Sequence, residues 1–189
     1  MSARVTRDAG VVGWQHVVAP VDASPLRLSV VRLGAGEESA FAHPDGDTLL
    51  FSFEGGGRAR VADEHDLGAG TGLLALAGEE VALAAGPEGL AAVCAVVGDD
   101  CHLHAPMGAR EVAVPRERVT PGAATGSRSF QVLFGPHNGC TRATLFVGAI
   151  PPGKAPWHYH LYDEIVWVVA GNGRVHLPEP EELGPGSAF

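Results

Sequence analysis

The chain has 189 residues, of which 46% are hydrophobic and 19% are charged, with 26 glycines and 14 prolines. This length allows one domain, or two small ones, with a real core. The net charge of -9 at pH 7 argues against a nucleic-acid partner, because phosphate binding needs a clustered positive field. No apolar run approaches the ~18 residues of a membrane span, and the first residues lack the apolar core of a signal peptide.

Helical periodicity is weak throughout the sequence, whereas short apolar or alternating runs are frequent. These runs are bounded by glycine, proline or acidic residues, which is typical of β-strands joined by tight turns. The sequence therefore predicts an all-β fold. The predicted strands, in chain order, are 26–33, 48–53, 58–61, 73–76, 80–83, 90–97, 141–150, 164–170 and 174–177.

Two of these regions repeat each other. "DTLLFSFEGGGRARVADEHDLGAG" (47–70) aligns without a gap on "DEIVWVVAGNGRVHLPEPEELGPG" (163–186) after a shift of 116 residues, with seven identities in 24 positions. Both contain Gly-x-Gly-Arg, which predicts a tight hairpin turn between two strands, because glycine readily adopts a positive φ. So long a period indicates two copies of one domain.

The repeat divides the chain into three parts. We expect an N-terminal domain at 1–98, a connector at 99–129 and a C-terminal domain at 130–189. The first copy continues for roughly 27 residues after Gly70, whereas the second ends three residues after Gly186. The second copy is therefore expected to lack its last strands, as in a truncated or split protein, or in a barrel completed by another chain.

Cysteine usage indicates a reducing compartment. Cys94, Cys101 and Cys140 form an odd set without the spacing of a disulfide framework, which fits a cytoplasmic protein. We expect these cysteines to behave as small buried hydrophobic residues.

The stretch "PWHYHLYDE" (156–164) has the pattern of a metal site. Residues i and i+2 of a strand point to the same face, so His158 and His160 project together, and Glu164 shares their parity. Two imidazoles and a carboxylate form a facial three-ligand site for Fe(II), Mn(II), Ni(II), Zn(II) or Co(II), with positions left open for substrate or dioxygen.

Other residues near this stretch carry weaker expectations. Trp157, Tyr162 and Trp167 are expected to pack in the interior, or alternatively to line an apolar substrate pocket. His176 follows the predicted hairpin and could supply a further ligand or substrate contact. The second His-x-His, in "CHLH" (101–104), lacks a matching carboxylate.

At this point the sequence resembles a known family. "PGKAPWHYHLYDEIVWVVAGNGRVHL" (152–177) is similar to the first conserved motif of the cupin superfamily, with Gly153, His158, His160, Glu164 and Gly171 in the family's order. The resemblance implies jelly-roll (double-stranded β-helix) barrels. With two copies, it implies a bicupin whose second barrel is incomplete. It also implies that the two histidines and the glutamate are metal ligands, with a fourth ligand, a histidine, expected beyond Phe189.

The first copy lacks these ligands. Across the 116-residue shift, Ala42, Pro44 and Thr48 stand where the second copy has its two histidines and its glutamate. We therefore expect the first domain to be structural or dimer-forming.

The resemblance favours a metal-dependent cupin enzyme, most simply a dioxygenase-like oxidoreductase acting on a small molecule. Glu164 would also accept a proton, and Tyr162, Trp157 and His176 would contact the substrate. One alternative is an isomerase or lyase acting on a sugar acid, and another is a non-catalytic ligand-binding or structural cupin. We expect a cytoplasmic homodimer that binds neither nucleic acid nor membrane.

Overall fold

The computed structural model describes residues 5–18, 26–98, 103–157, 160–176 and 179–189. These residues contain strands, two 3-10 helices (Arg116–Arg118 and Pro136–Asn138) and no α-helix. None of their helices is long and apolar enough to cross a membrane. The strands are β1 (Thr6–Arg7), β2 (Gly13–Val18), β3 (Leu26–Leu33), β4 (Glu38–Ala42), β5 (Gly46–Val61), β6 (Asp63–Gly68), β7 (Thr71–Ala75), β8 (Glu80–Gly98), β9 (Ala113–Pro115), β10 (Gly122–Ala123), β11 (Ser129–Phe134), β12 (Leu145–Ala149), β13 (Gly173–Val175), β14 (Glu181–Leu183) and β15 (Ser187–Ala188).

The main sheet is built from the first half of the chain. It has the order β2-β3-β8-β5-β7-β9, with β4 also pairing with β8 and β6 with β5. The strands β5 and β8 pair antiparallel from Gly46↔Gly98 to Arg60↔Ala82. The strand β5 pairs with β7 near its start and with β6 near its end, and β8 pairs with β4 and then with β3. Because the two long strands have different neighbours at their two ends, the sheet can curve around a core.

The Gly-x-Gly-Arg segment of the first copy is not a hairpin turn, so that prediction is wrong. Gly55 and Gly57 lie inside β5, where the register with β8 shifts between Ser52 and Glu54 and again between Gly55 and Gly57. The positive φ of Gly55 (66°) serves a bulge in a continuous strand. Glycine permits both geometries, so local sequence did not distinguish them.

Both faces of the main sheet are buried. One face forms an inner cluster enclosed by first-half strands, and this cluster includes Leu50, Leu73 and Val81. The opposite face forms an outer cluster, in which Leu49 and Phe51 meet Leu133 and Phe134 of β11. The alternation of residues 49, 50 and 51 between the two clusters follows the two-residue period of a strand.

The register of the second copy reproduces that of the first. Gly173 pairs with Leu183, as Gly57 pairs with Leu67. The isolated bridge Trp167↔Ala188 corresponds in the same way to Phe51↔Gly72. All four residues of the second copy lie 116 positions after their counterparts, so the sequence alignment has a backbone equivalent.

The second half does not close into a barrel in the described residues. Its strands form a three-stranded sheet, β10-β11-β12, and the pairs β13-β14 and β1-β15. The shared register therefore supports a repeated backbone segment, whereas two complete barrels stay a prediction.

The chain termini meet in one small sheet. Thr6 pairs with Ala188 and Arg7 with Ser187, and the backbone N–H of Asp8 donates to the Gly186 carbonyl at 2.9 Å. The Asp8 side chain, 5% exposed, forms an ion pair with Arg32 of β3. The first few residues thus join the C-terminal segment to the main sheet. The predicted connector (99–129) also joins the main sheet, because its strand β9 pairs with β7.

Two of the three cysteines are buried, as predicted. Cys94 and Cys140 are free thiols at 1% and 0% exposure, whereas Cys101 lies outside the described residues. Burial raises the pKa of Cys94 to about 12 and also raises the pKa of Cys140. Both thiols therefore stay protonated and shielded at pH 8.

We expect iodoacetamide at pH 8 to modify native Cys94 and Cys140 at least about 100-fold more slowly than glutathione, because the thiolate is the nucleophile and access requires unfolding. Peptide mapping by mass spectrometry measures each site. The same sites should react readily in guanidinium. Modification of the native protein at the rate of glutathione would show that the buried placement is wrong.

Candidate metal site

Two of the three predicted ligands lie together. His160 Nδ1 is 3.0 Å from Glu164 Oε2, and the two side chains are 30% and 27% exposed. A carboxylate only accepts, so this contact assigns the proton to Nδ1. The separation also suits a shared ion, because two neighbouring ligands with bonds of about 2.1 Å at a right angle lie about 3.0 Å apart.

Glu164 precedes a segment that packs against the outer cluster. Its neighbours Ile165 and Trp167 pack against that cluster, whereas Glu164 lies in irregular backbone. The counterpart of Glu164 in the first copy, Thr48, is buried and pairs with Ala75 of the inner cluster. The segment thus presents a carboxylate where the first copy presents a residue of its core.

The third predicted ligand, His158, lies outside the described residues, so the structure brings together only part of the predicted set. Within the described ranges, no group of three or more His, Cys, Asp and Glu side chains is arranged to hold a metal ion. The His160 imidazole and the Glu164 carboxylate are both ligand types that suit a divalent cation.

Two ring contacts involve aromatic residues of the 156–164 stretch. The Tyr162 ring stacks on the His160 ring, with centroids 4.7 Å apart and planes at 25°. The Trp157 and His176 rings meet edge to face at 5.4 Å. Trp157 is 73% exposed and Tyr162 is 65% exposed, so the prediction that they pack in the interior is wrong. Their predicted role as substrate contacts, with that of His176, stays a prediction.

Trp167 is a packing residue, as predicted. Its ring lies 5.4 Å from that of Phe53 and contributes to the outer cluster. The three aromatic residues differ in their backbone contacts, because Trp167 forms a bridge with Ala188, whereas residues 157 and 162 lie in irregular backbone.

Three other histidines lie in loops and turns. In "CHLH" the first two residues lie outside the described residues, and the backbone N–H of His104 donates to the Thr141 carbonyl at 2.7 Å. His43 lies between β4 and β5, where burial lowers its pKa. His137 belongs to the Pro136–Asn138 turn.

A cleft beside the outer cluster was missed in the sequence. It encloses ≈ 450 Å³ between Phe51 and Phe53 of β5, Arg116, Gln131 and Val169. Arg116 Nε donates to Gln131 Oε1 at 2.6 Å, and Gln131 Nε2 donates to the Val119 carbonyl at 2.5 Å. The lining residues come from three distant parts of the chain, so the sequence did not predict the cleft. The only local indication is Gln131, a polar residue in the apolar strand β11.

Known proteins resemble this chain in structure but not in sequence. No protein-family model matches the chain, and neither does any curated protein. Among solved structures, the formate complex of Lactobacillus farciminis oxalate decarboxylase matches with a TM-score of 0.76 and 12% identity, over 100% of this chain and 79% of that one. A deletion mutant of Bacillus subtilis oxalate decarboxylase matches with a TM-score of 0.69 and 11% identity, over 100% of this chain and 70% of that one. A cupin 2 conserved barrel domain protein from Leptotrichia buccalis matches with a TM-score of 0.63 and 15% identity, over 100% of this chain and 85% of that one.

These similarities define the fold. The chain has the cupin fold, mostly β-sheet with almost no helix in the described residues. This confirms the all-β cupin part of the predicted fold class, whereas two barrel copies stay a prediction. Identities of 11–15% do not transfer an activity, because one scaffold hosts many chemistries.

Proposed function

We propose that this protein is a metal-dependent enzyme of the cupin superfamily that acts on a small molecule. In this proposal His158, His160 and Glu164 hold one divalent ion, with Fe(II), Mn(II), Ni(II) and Zn(II) as candidates. The observation that carries the proposal is the 3.0 Å contact between His160 and Glu164. The cupin fold supports it, because that fold can place a strand-borne site inside a barrel wall.

Each side chain has a part in the proposed chemistry. In the metal-free protein the contact between Glu164 and His160 Nδ1 holds the ring in place; a bound ion would replace the shared proton and be held by Nδ1 and Oε2 as neighbouring ligands. Tyr162, stacked on the same ring, limits its rotation and offers a phenol to a bound substrate. A divalent ion at this place supplies Lewis-acid activation and substrate coordination.

We further propose a dioxygenase-like oxidoreductase, because a three-ligand site of two imidazoles and one carboxylate leaves positions open for both substrate and dioxygen. Glu164 is the group placed to accept a substrate proton, since a carboxylate within hydrogen-bond reach of the reacting atoms can act as a general base.

The metal proposal is tested by reconstitution. Protein freed of metal is dialysed against each candidate ion, under anaerobic conditions for Fe(II), and bound metal is measured by elemental analysis. We expect about one ion per chain in the native protein and loss of that ion in the double variant His158→Ala/His160→Ala. The variant His137→Ala, in the turn Pro136–Asn138 that follows β11, should keep the ion. Full occupancy in the double variant, or none in the native protein, contradicts the proposal.

The reaction class has a separate test. An oxygen electrode follows dioxygen uptake by the reconstituted protein with panels of phenols and diketones. Uptake that requires both metal and substrate supports the oxidoreductase. Conversion of a hydroxy-acid substrate without uptake indicates an isomerase or lyase instead. Ligand binding with no conversion of any substrate indicates a binding protein.

A further inference from the structure

A second pocket lies between two loops of the C-terminal half. It encloses ≈ 240 Å³ between the turn at 125–128, which joins β10 to β11, and the segment 150–156, which follows β12. The turn is closed by a hydrogen bond from the Ala124 N–H to the Arg128 carbonyl at 2.9 Å. The lining contains two cations, Arg128 and Lys154, and no acidic side chain.

Within the described residues, neither cation has the carboxylate partner that most other cations have. Lys154 is the single lysine of the chain, and its Nζ lies 4.9 Å from the centre of the Trp157 ring. Arg128 donates from Nε to the Thr125 carbonyl at 3.0 Å, and no described carboxylate lies within ion-pair distance of either residue. By contrast, eight of the eleven arginines in the described ranges contact a carboxylate: Arg27, Arg32, Arg58, Arg60, Arg110, Arg118, Arg142 and Arg174.

The local positive charge comes from these two side chains. Residues 118–162 contain four cations and no aspartate or glutamate, although the chain as a whole carries a net charge of -9. Arg118 and Arg142 are paired with carboxylates from outside this segment, which leaves Arg128 and Lys154. A concave site lined by one sign of charge concentrates ions of the opposite sign. The pocket is therefore electrostatically suited to an anion in an otherwise acidic protein.

We propose that this pocket binds the carboxylate group of a small organic acid. The hydrogen bond to Thr125 fixes the plane of the Arg128 guanidinium, whose fork matches a planar carboxylate, and Lys154 adds a mobile ammonium. Ile150, Pro151 and Pro156 form an apolar wall for the rest of the molecule. The volume is below the 300–1,000 Å³ range of ordinary ligand pockets, which selects a small acid.

The site is independent of the proposed metal site, because neither His160 nor Glu164 lines it. Its two cations and its apolar wall belong to residues that the metal proposal does not use. The two proposals can therefore fail separately.

The single lysine gives a direct probe. Reductive methylation with ¹³C-formaldehyde labels Lys154 and the N-terminal amine and keeps their charge. Succinate is then titrated at pH 7 and constant ionic strength, and the two methyl resonances are followed by NMR. We expect a saturable shift of the Lys154 signal, with the N-terminal signal unmoved as an internal control.

Matched variants assign the binding. Calorimetry should show at least about tenfold weaker succinate binding in Arg128→Gln and in Lys154→Gln than in the native protein. Arg174→Gln, which removes an exposed arginine paired with Glu182, should bind like the native protein. Folding of each variant is checked by its thermal unfolding temperature.

Three results would overturn the proposal. The first is a shift that does not saturate at constant ionic strength or that persists unchanged in Arg128→Gln. The second is inorganic phosphate binding as tightly as succinate, which would make the pocket a general anion site. The third is loss of succinate binding in Glu164→Gln, which would place the acid on the metal.

Discussion

Gly55→Ala is expected to lower the free energy of unfolding by about 3 kcal/mol, whereas Gly171→Ala lowers it by about 1 kcal/mol. The two glycines occupy equivalent positions of the repeat, and both have a positive φ, 66° for Gly55 and 86° for Gly171. An alanine in this conformation costs roughly 1–2 kcal/mol in either copy. The predicted difference therefore comes from packing.

The surroundings of the two glycines differ. A Cβ at Gly55 would lie 2.2 Å from the Gly89 carbonyl oxygen and 2.8 Å from its carbon, whereas a Cβ at Gly171 would meet nothing within 4 Å. The atoms near Gly55 belong to the backbone of β8, so relief requires the β5–β8 ladder to move. Overpacking of this kind typically adds about 1–3 kcal/mol.

Urea unfolding followed by circular dichroism measures both variants. The comparison between them cancels the backbone conformational term, so each serves as the control for the other. Equal destabilisation would mean that Gly55 does not pack against β8, and the bulge in the middle of β5 would then be wrongly placed.

Strands with a clear apolar period could be predicted from the sequence. The prediction of 26–33 coincides with β3, and 73–76 overlaps β7. By contrast, 48–53 and 58–61 are parts of the single strand β5, and 80–83 and 90–97 are parts of β8. Glycines were interpreted as chain reversals, whereas here they allow bulges, and only the partner strand decides between these outcomes.

Contacts between chain ends could not be predicted. The strands β1 and β15 have two residues each, too few for any periodicity, and their pairing joins residues about 180 positions apart. The ion pair of Asp8 with Arg32 depends on that pairing. Such contacts are set by the packing of whole sheets, which short-range patterns do not report.

The candidate site could be predicted only where it depends on residues close together in the sequence. The motif brought His160 and Glu164 together on the basis of their spacing, and the two side chains do lie in contact. It did not predict the exposure of Trp157 and Tyr162, since that depends on which segments cover them. The pocket lined by Arg128 and Lys154 also depends on the contact between the loops 125–128 and 150–156, which the sequence does not predict.

Glu164→Gln is expected to weaken binding of the proposed divalent ion by about 100-fold or more. Loss of an outer-shell partner alone costs 10–100-fold at metal sites, and this substitution removes the only charged ligand in the proposed set. At 1.4 kcal/mol for each tenfold change, 100-fold corresponds to about 2.8 kcal/mol. The amide retains an oxygen that can accept the His160 N–H, so the metal-free fold should be preserved.

Asp163→Asn is the matched control. It removes the same charge from the adjacent residue, so any long-range electrostatic effect is similar in both variants. Asp163 is not one of the three proposed ligands. We expect its metal affinity to stay within about threefold of the native value.

Metal-dependent stabilisation provides the measurement. A ligand that binds only the folded state raises stability by RT ln(1 + [L]/Kd), so a titration of the unfolding temperature with metal yields the affinity of each variant. The native protein and Asp163→Asn should show the same rise, and Glu164→Gln should show none until the metal concentration is about 100-fold higher. Equal rises in all three proteins would mean that Glu164 does not contact the ion, and the assignment of the site to this segment would fail.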